Sequence, residues 1–206
     1  MSLDNIFLEL TGALDELDKL REIVLKISRE MIRDSSVAIK HVHRREYDHY
    51  QMKIDSIIKQ HLELKNNVNK NPGAFYKYLK VPEQEYVEAI ALFSIISKKP
   101  LPLPSQISVD PLNYVLGLAD VIGELRRYVL DNIRNSNIGD FNLILESMDE
   151  IYTQIFSLDY PSGLTQDLRH KTDIARSIIE KTRGDISLTI QMIDLKKCIE
   201  SKINTN

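Results

Sequence analysis

Apolar residues recur at helical spacing along most of the chain. In the first segment Ile6, Leu10, Leu14, Leu17, Leu20, Val24, Ile27 and Met31 follow one another at intervals of three and four. That stripe predicts an amphipathic helix from about Leu3 to the "HVHRR" stretch. "EYDHYQMKIDSIIKQHLELKNNVNK" predicts a second, more polar helix, ended by "NPG" at Asn71–Gly73. A short aromatic piece, "AFYKYLK", leads into "VPEQEYVEAIALFSII", where Pro82 takes a first-turn position. "KKPLPLPSQIS" reads as a loop, after which Asp110 N-caps a helix that opens at Pro111 and runs to about Arg134. "NSNIGD" breaks the chain, another amphipathic helix spans roughly Phe141 to Leu158, and "DYPSG" is a turn. The remainder reads as helix with a break expected at Arg183-Gly184-Asp185. The pattern predicts one all-α domain over residues 1–206, a bundle of about six or seven helices.

Composition agrees. Only seven glycines and seven prolines punctuate 206 residues, so long helices are expected. A chain 43% hydrophobic and 28% charged is an ordinary globular one, able to bury a core. Its single cysteine, Cys198, excludes an internal disulfide and a cysteine-only metal site, and suits the reducing cytoplasm. The first residues carry acids and no basic leader, so no signal peptide is expected. No uncharged run approaches the roughly 18 residues of a membrane span. The net charge of −3 argues against a general nucleic-acid coat protein, which would be strongly basic. Any nucleic acid would have to be handled through local patches or metal ions.

Two helices carry acids where none would be expected. After Gln84, "VPEQEYVEAIALFSII" holds only Glu85 and Glu88 among apolar and aromatic residues and one serine, Ser94. "YVLGLADVIGEL" holds only Asp120 and Glu124. Spacings of three and four put each pair on one helix face. Buried acids must protonate, pair or bind a cation. Gly117 and Gly123 flank Asp120 on roughly the same face, each costing about 1 kcal/mol relative to alanine, and would let another helix or a substrate backbone come close. Four convergent carboxylates suit a hard divalent cation such as magnesium, with manganese as substitute. Such a site positions a phosphodiester, offsets its developing charge and activates water. The plainer reading is ion pairing with Arg126 and Arg127. A carboxylate-bridged di-iron centre is excluded, because the positions that would hold histidine hold Ala91 and Arg127.

"LKVPEQEYVEA" and "VDPLNYVLGLADVIGELRR" together resemble the translin family, in particular its catalytic branch, translin-associated factor X. The likeness extends from "LREIVLKISREMIRDSSVAIKHVHR" to "NSNIGDF". It implies a seven-helix subunit in a hollow octameric shell and a magnesium-dependent endoribonuclease acting on single-stranded RNA, the active sites facing the cavity. The family's catalytic and metal-binding acids fall on Glu85, Glu88 and Asp120, with Glu124 in the same motif. Translin itself lacks this acidic set and serves as an RNA-binding partner. The compact "KKPLPLPSQIS" loop, where eukaryotic factor X carries a long insertion, is similar to prokaryotic members that form shells alone; a translin-like partner subunit is the other arrangement. Asp131 stands where the family often has asparagine and reads as a solvated acid. A non-catalytic RNA- or DNA-binding shell is the alternative function. An all-α nucleotide pyrophosphohydrolase fits less well, because its second motif would be Glu-x-x-Asp rather than Asp-x-x-x-Glu.

Basic residues suggest where RNA would lie. Lys77 and Lys80, interleaved with Tyr76 and Tyr78, mix cations with stacking rings; Lys40, Arg44 and Arg45 in "KHVHRR" offer phosphate contacts. Core packing of the tyrosines and a solvated helix end are the plainer readings. His41 and His43 face different sides of a helix and form no clip for a metal. His49, His61, His170 and Cys198 show no constellation.

Overall fold

The computed structural model describes residues 2–135 and 141–203, and within them every regular element is helical. In chain order these are α1 (Leu3–His43), α2 (Tyr47–Val68), the single turn α3 (Pro72–Phe75), α4 (Lys80–Ile96), α5 (Pro111–Arg134), α6 (Phe141–Phe156), the single turn α7 (Ser162–Thr165) and α8 (Leu168–Ile203). A short 3₁₀ turn, Tyr76–Tyr78, joins α3 to α4. α1 packs on α2 and α4, α4 on α5, and α5 and α6 on α8. The core runs through all six long helices, from Met31 and Ile57 through Leu92 and Leu125 to Met148 and Ile179. Among the described residues no helix is long and apolar enough to cross a membrane.

The local chemistry explains the boundaries nearest the site. Asp110 accepts the backbone N–H groups of Leu112 (2.8 Å) and Asn113 (3.3 Å), covering two of the orphan donors at the start of α5. Asp110 is itself anchored, since its backbone N–H donates to Glu83 at 3.1 Å. The Glu83 carboxylate is wholly buried and also meets Asn113 Nδ2 (2.8 Å) and His61 Nε2 (2.8 Å). A buried carboxylate with three partners is tolerable where a bare one is not. Glu83 and His61 therefore bind α2, α4 and the start of α5 together, a structural role the sequence did not disclose.

Glycine sets the approach of α4 to α5. A Cβ on Gly117 would stand 2.7 Å from Gln84 O and 2.8 Å from Val87 Cβ, whereas one on Gly123 would meet nothing within 4 Å. The close approach expected of both glycines is realised at Gly117 alone. Gly117→Ala should therefore destabilise the fold by about 1–3 kcal/mol through forced separation of the helices. Gly123→Ala should instead stabilise it by about 0.5–1 kcal/mol through helix propensity. Paired thermal melts check the contrast; equal shifts of the same sign would show that Gly117 does not set the spacing.

Two expectations need correction. The break at Arg183-Gly184-Asp185 does not occur, and α8 runs straight through it. Flanking packing and ion pairs offset the cost of one glycine: Thr182 and Ile186 are buried, Arg183 reaches both Asp149 oxygens at 3.0 Å, and Asp185 pairs with Arg126 at 2.8 Å. The interruption lies earlier, at Gln166, whose φ of 51° ends α7. α6 stops at Phe156, two residues short of Leu158. The expected "NSNIGD" break, apart from Asn135, lies outside the described residues.

Candidate active site

α4 presents Glu85 and Glu88, and α5 presents Asp120 and Glu124, across the contact that Gly117 permits. All four are half-buried. Burial pushes Glu88 up to about 8, and the charges of Glu85, Asp120 and Glu124 add to the effect against only partial relief from Lys171. Glu85 is raised too, by burial and then by Asp120 and Glu124. Acids from two helices thus share one electrostatic environment, which spacing alone could only suggest.

The other two acids are compensated. Glu124 would be raised by burial, but the His43 Nε2 contact at 2.5 Å, the His43 charge and Arg127 at 3.4 Å bring it below its ordinary value. Asp120 forms an ion pair with Lys171, which also donates to Gln84 Oε1 at 3.0 Å. Within the described residues no ion pair reaches Glu85 or Glu88. The plainer alternative, ion pairing with Arg126 and Arg127, holds for one contact only: Arg127 touches Glu124, while Arg126 turns to Asp185 and Thr182. With Lys171 on Asp120 and His43 on Glu124, the acids do not bring three donor oxygens within 4.8 Å of one another.

Sequence reasoning missed His43, Lys171 and Gln84. His43 closes α1 and crosses to α5, and its Nδ1 is buried without a partner, as is Gln84 Nε2. Lys171 borders the buried stripe of α8 formed by Leu168, Thr172, Ala175 and Ile179. A lysine beside such a stripe was the available signal. Spacing could not show that its partner lay 51 residues away.

The donor set fits a hard divalent cation. It offers oxygens from four carboxylates, and two of these, Glu85 and Glu88, have no ion-pair partner among the described residues, while Lys171 and His43 each contact one of the others. The basic candidates divide. Lys80 pairs with Asp167 at 3.0 Å and lies about 12 Å along α4 from Glu88. Lys77 is exposed and sits 5.2 Å over the Tyr78 ring, and exposed Tyr76 donates to Asp110 at 2.6 Å. Arg45 donates to Asn132 on α5 at 3.1 Å, while Lys40 and Arg44 are exposed at the end of α1. Asp131 is half-buried, 3.9 Å from Arg127 and 3.7 Å from Arg134, so it is not simply solvated.

Comparison with known proteins gives a consistent picture. The model of the translin family matches residues 19–183. An uncharacterised protein of Methanocaldococcus jannaschii is 37% identical over 182 residues, covering 87% of this chain and 81% of that protein. The translin-associated protein X homolog of Schizosaccharomyces pombe is 23% identical over 196 residues, covering 86% of this chain and 84% of its own. The solved structure of AfC3PO in complex with duplex RNA superposes with a TM-score of 0.80 at 29% identity, covering 90% of this chain and 97% of that one.

Proposed function

This chain belongs to the translin family, and on that premise we propose that it is a metal-dependent endoribonuclease that cleaves single-stranded RNA within a homo-oligomeric shell. The observation that carries the proposal is the shared environment of Glu85, Glu88, Asp120 and Glu124, in which Glu88 is pushed up to about 8. A carboxylate so disfavoured at neutral pH marks a functional site more often than a structural one. The duplex RNA bound by AfC3PO supports RNA as the ligand class.

Glu85, Glu88, Asp120 and Glu124 would hold magnesium, or manganese in its place. When bound, the ion supplies charge stabilisation at the scissile phosphate and activation of the attacking water. The chain's own groups do the rest. Lys171 pairs with Asp120 and His43 contacts Glu124 while the site is free of metal, and both side chains are placed to meet a phosphate. Gln84 holds Lys171 through Oε1 and keeps its buried Nε2 donor for an acceptor oxygen. Lys77 and Tyr76, exposed at the N-terminal end of α4, offer a cation and a stacking face to an unpaired base.

Assembly is supported by what the single chain leaves uncovered. The first buried residue of α1 is Val24. Before it, Leu3, Phe7, Leu8, Leu10 and Leu14 are exposed, and Leu188, Met192 and Leu195 are exposed on α8. Apolar stripes of this length on otherwise unsupported helix ends mark interfaces. An enclosed site would also admit unpaired strands in preference to folded RNA.

The test is cleavage of a labelled single-stranded oligoribonucleotide in magnesium, alongside its perfect duplex and nucleoside triphosphates. Cleavage of the single strand, about tenfold or more faster than the duplex because the duplex must first unpair, is the expected result. Salt-sensitive binding without metal-dependent cleavage would identify a binding shell instead. Hydrolysis of the triphosphates alone would identify a pyrophosphohydrolase.

A further inference from the structure

We propose that the turn between α1 and α2 is a second, separate metal site, in which His41, Glu46 and His49 take a divalent transition ion such as zinc. Among the described residues these three alone bring three ligating atoms within 4.8 Å of one another. His41 Nδ1 lies 2.6 Å from Glu46 Oε2. The His41 and His49 rings stack with centroids 5.3 Å apart and planes 23° from parallel. Ligands about 2 Å from one ion stand about 3.3 Å apart in a tetrahedron, so side-chain rotation alone suffices to close the set.

The backbone holds the three in place before any ion arrives. Glu46 N–H donates to His41 O at 2.9 Å and Arg45 N–H to Val42 O at 3.0 Å, locking a turn in which Arg45 takes a φ of 59°. Glu46 is the N-cap of α2, yet its side chain caps no backbone donor and remains available as a ligand. His49 follows three residues later, on the turn of helix above it.

Ligand chemistry selects the class of ion. Two imidazoles and one carboxylate suit zinc, nickel or cobalt, whereas magnesium demands oxygen. The neighbouring Lys40, Arg44 and Arg45 add positive charge, which further disfavours a hard ion bound mainly by Coulomb attraction. Three protein ligands leave a fourth position for water or for an added ligand. His43, on the same last turn of α1, points its Nε2 to Glu124 instead, so an ion here would fix the turn that carries a residue of the acid site. The two sites share no ligand.

Zinc titration of the chelator-treated full-length protein tests the inference, with bound metal counted by mass spectrometry and affinity read by calorimetry. His49 is exposed, so His49→Ala should fold as wild type, to be checked by its circular dichroism melt without metal. The expected result is one zinc equivalent per chain, additional to any ion held by the acid site, that His49→Ala and His41→Ala each weaken by about tenfold or more, as loss of a ligand demands. Glu88→Gln should leave that equivalent intact. Wild-type zinc affinity and stoichiometry in both histidine variants would overturn the proposal, as would loss of the equivalent in Glu88→Gln alone.

Discussion

Glu88→Gln should make the metal-free protein more stable at neutral and alkaline pH while reducing magnesium-dependent RNA cleavage by ~10³-fold or more, on the order of 4 kcal/mol of transition-state stabilisation. The two effects share one cause. Burial and the charges of Glu85, Asp120 and Glu124 push Glu88 up to about 8 from the ordinary 4.5. Between those values the unfolded chain has released a proton that the folded chain retains, so the folded state loses stability as pH rises. Glutamine removes that penalty, a gain of about 2–4 kcal/mol at pH 8 that vanishes below about pH 4.5. Thermal melts from pH 4 to 8 in chelator read the stability, and an RNA assay in magnesium reads the activity. Magnesium should raise the melting temperature of the wild type and leave that of the variant nearly unchanged. A variant less stable than wild type at pH 8 would show that Glu88 belongs to a satisfied structural network.

Leu10→Glu with Leu14→Glu should dissociate the assembly without unfolding the subunit. Each leucine is more than half exposed in the single chain, and the core begins only at Val24. Burial of such side chains against a second copy contributes about 1.5–3 kcal/mol each, and a closed ring repeats the loss at every interface. Light scattering of the wild type should give a mass near eight times 23.8 kDa. The double variant should give a much smaller, still helical species. A wild-type chain that is monomeric at micromolar concentration, yet cleaves RNA, would contradict the shell.

Elements set by short-range chemistry were legible in the sequence. The apolar period carries α1 from about Leu3 into the "HVHRR" stretch, within which it ends at His43, and Asp110-Pro111 fixes the first turn of α5 because cap and proline act within four residues. Gly184 misled because propensity is a weak prior beside tertiary support: the Arg183–Asp149 and Arg126–Asp185 pairs that carry α8 through it join residues distant in the chain. The candidate site divides in the same way. Glu85, Glu88, Asp120 and Glu124 stood out because charge is conspicuous in an apolar helix. Their partners did not. His43, Lys171 and the structural pair His61–Glu83 sit in polar stretches where one more ionisable residue raises no question, and only packing brings them to the acids or to each other. Glu83 is the most buried carboxylate of α4, yet nothing in its sequence neighbourhood sets it apart from the acids that follow it. The His41–Glu46–His49 cluster was invisible for a further reason, since it depends on the sharp turn at Arg45 and helical periodicity cannot carry across a turn.

If the four acids of α4 and α5 form one metal centre, a crystal of the protein soaked in manganese should hold the ion among them. Anomalous diffraction should show a peak coordinated by oxygens of Glu88 and Asp120 together with Glu85 or Glu124, with the Lys171 amine displaced from Asp120. A soaked crystal with no anomalous peak among these acids, and Lys171 still paired with Asp120, would contradict the account.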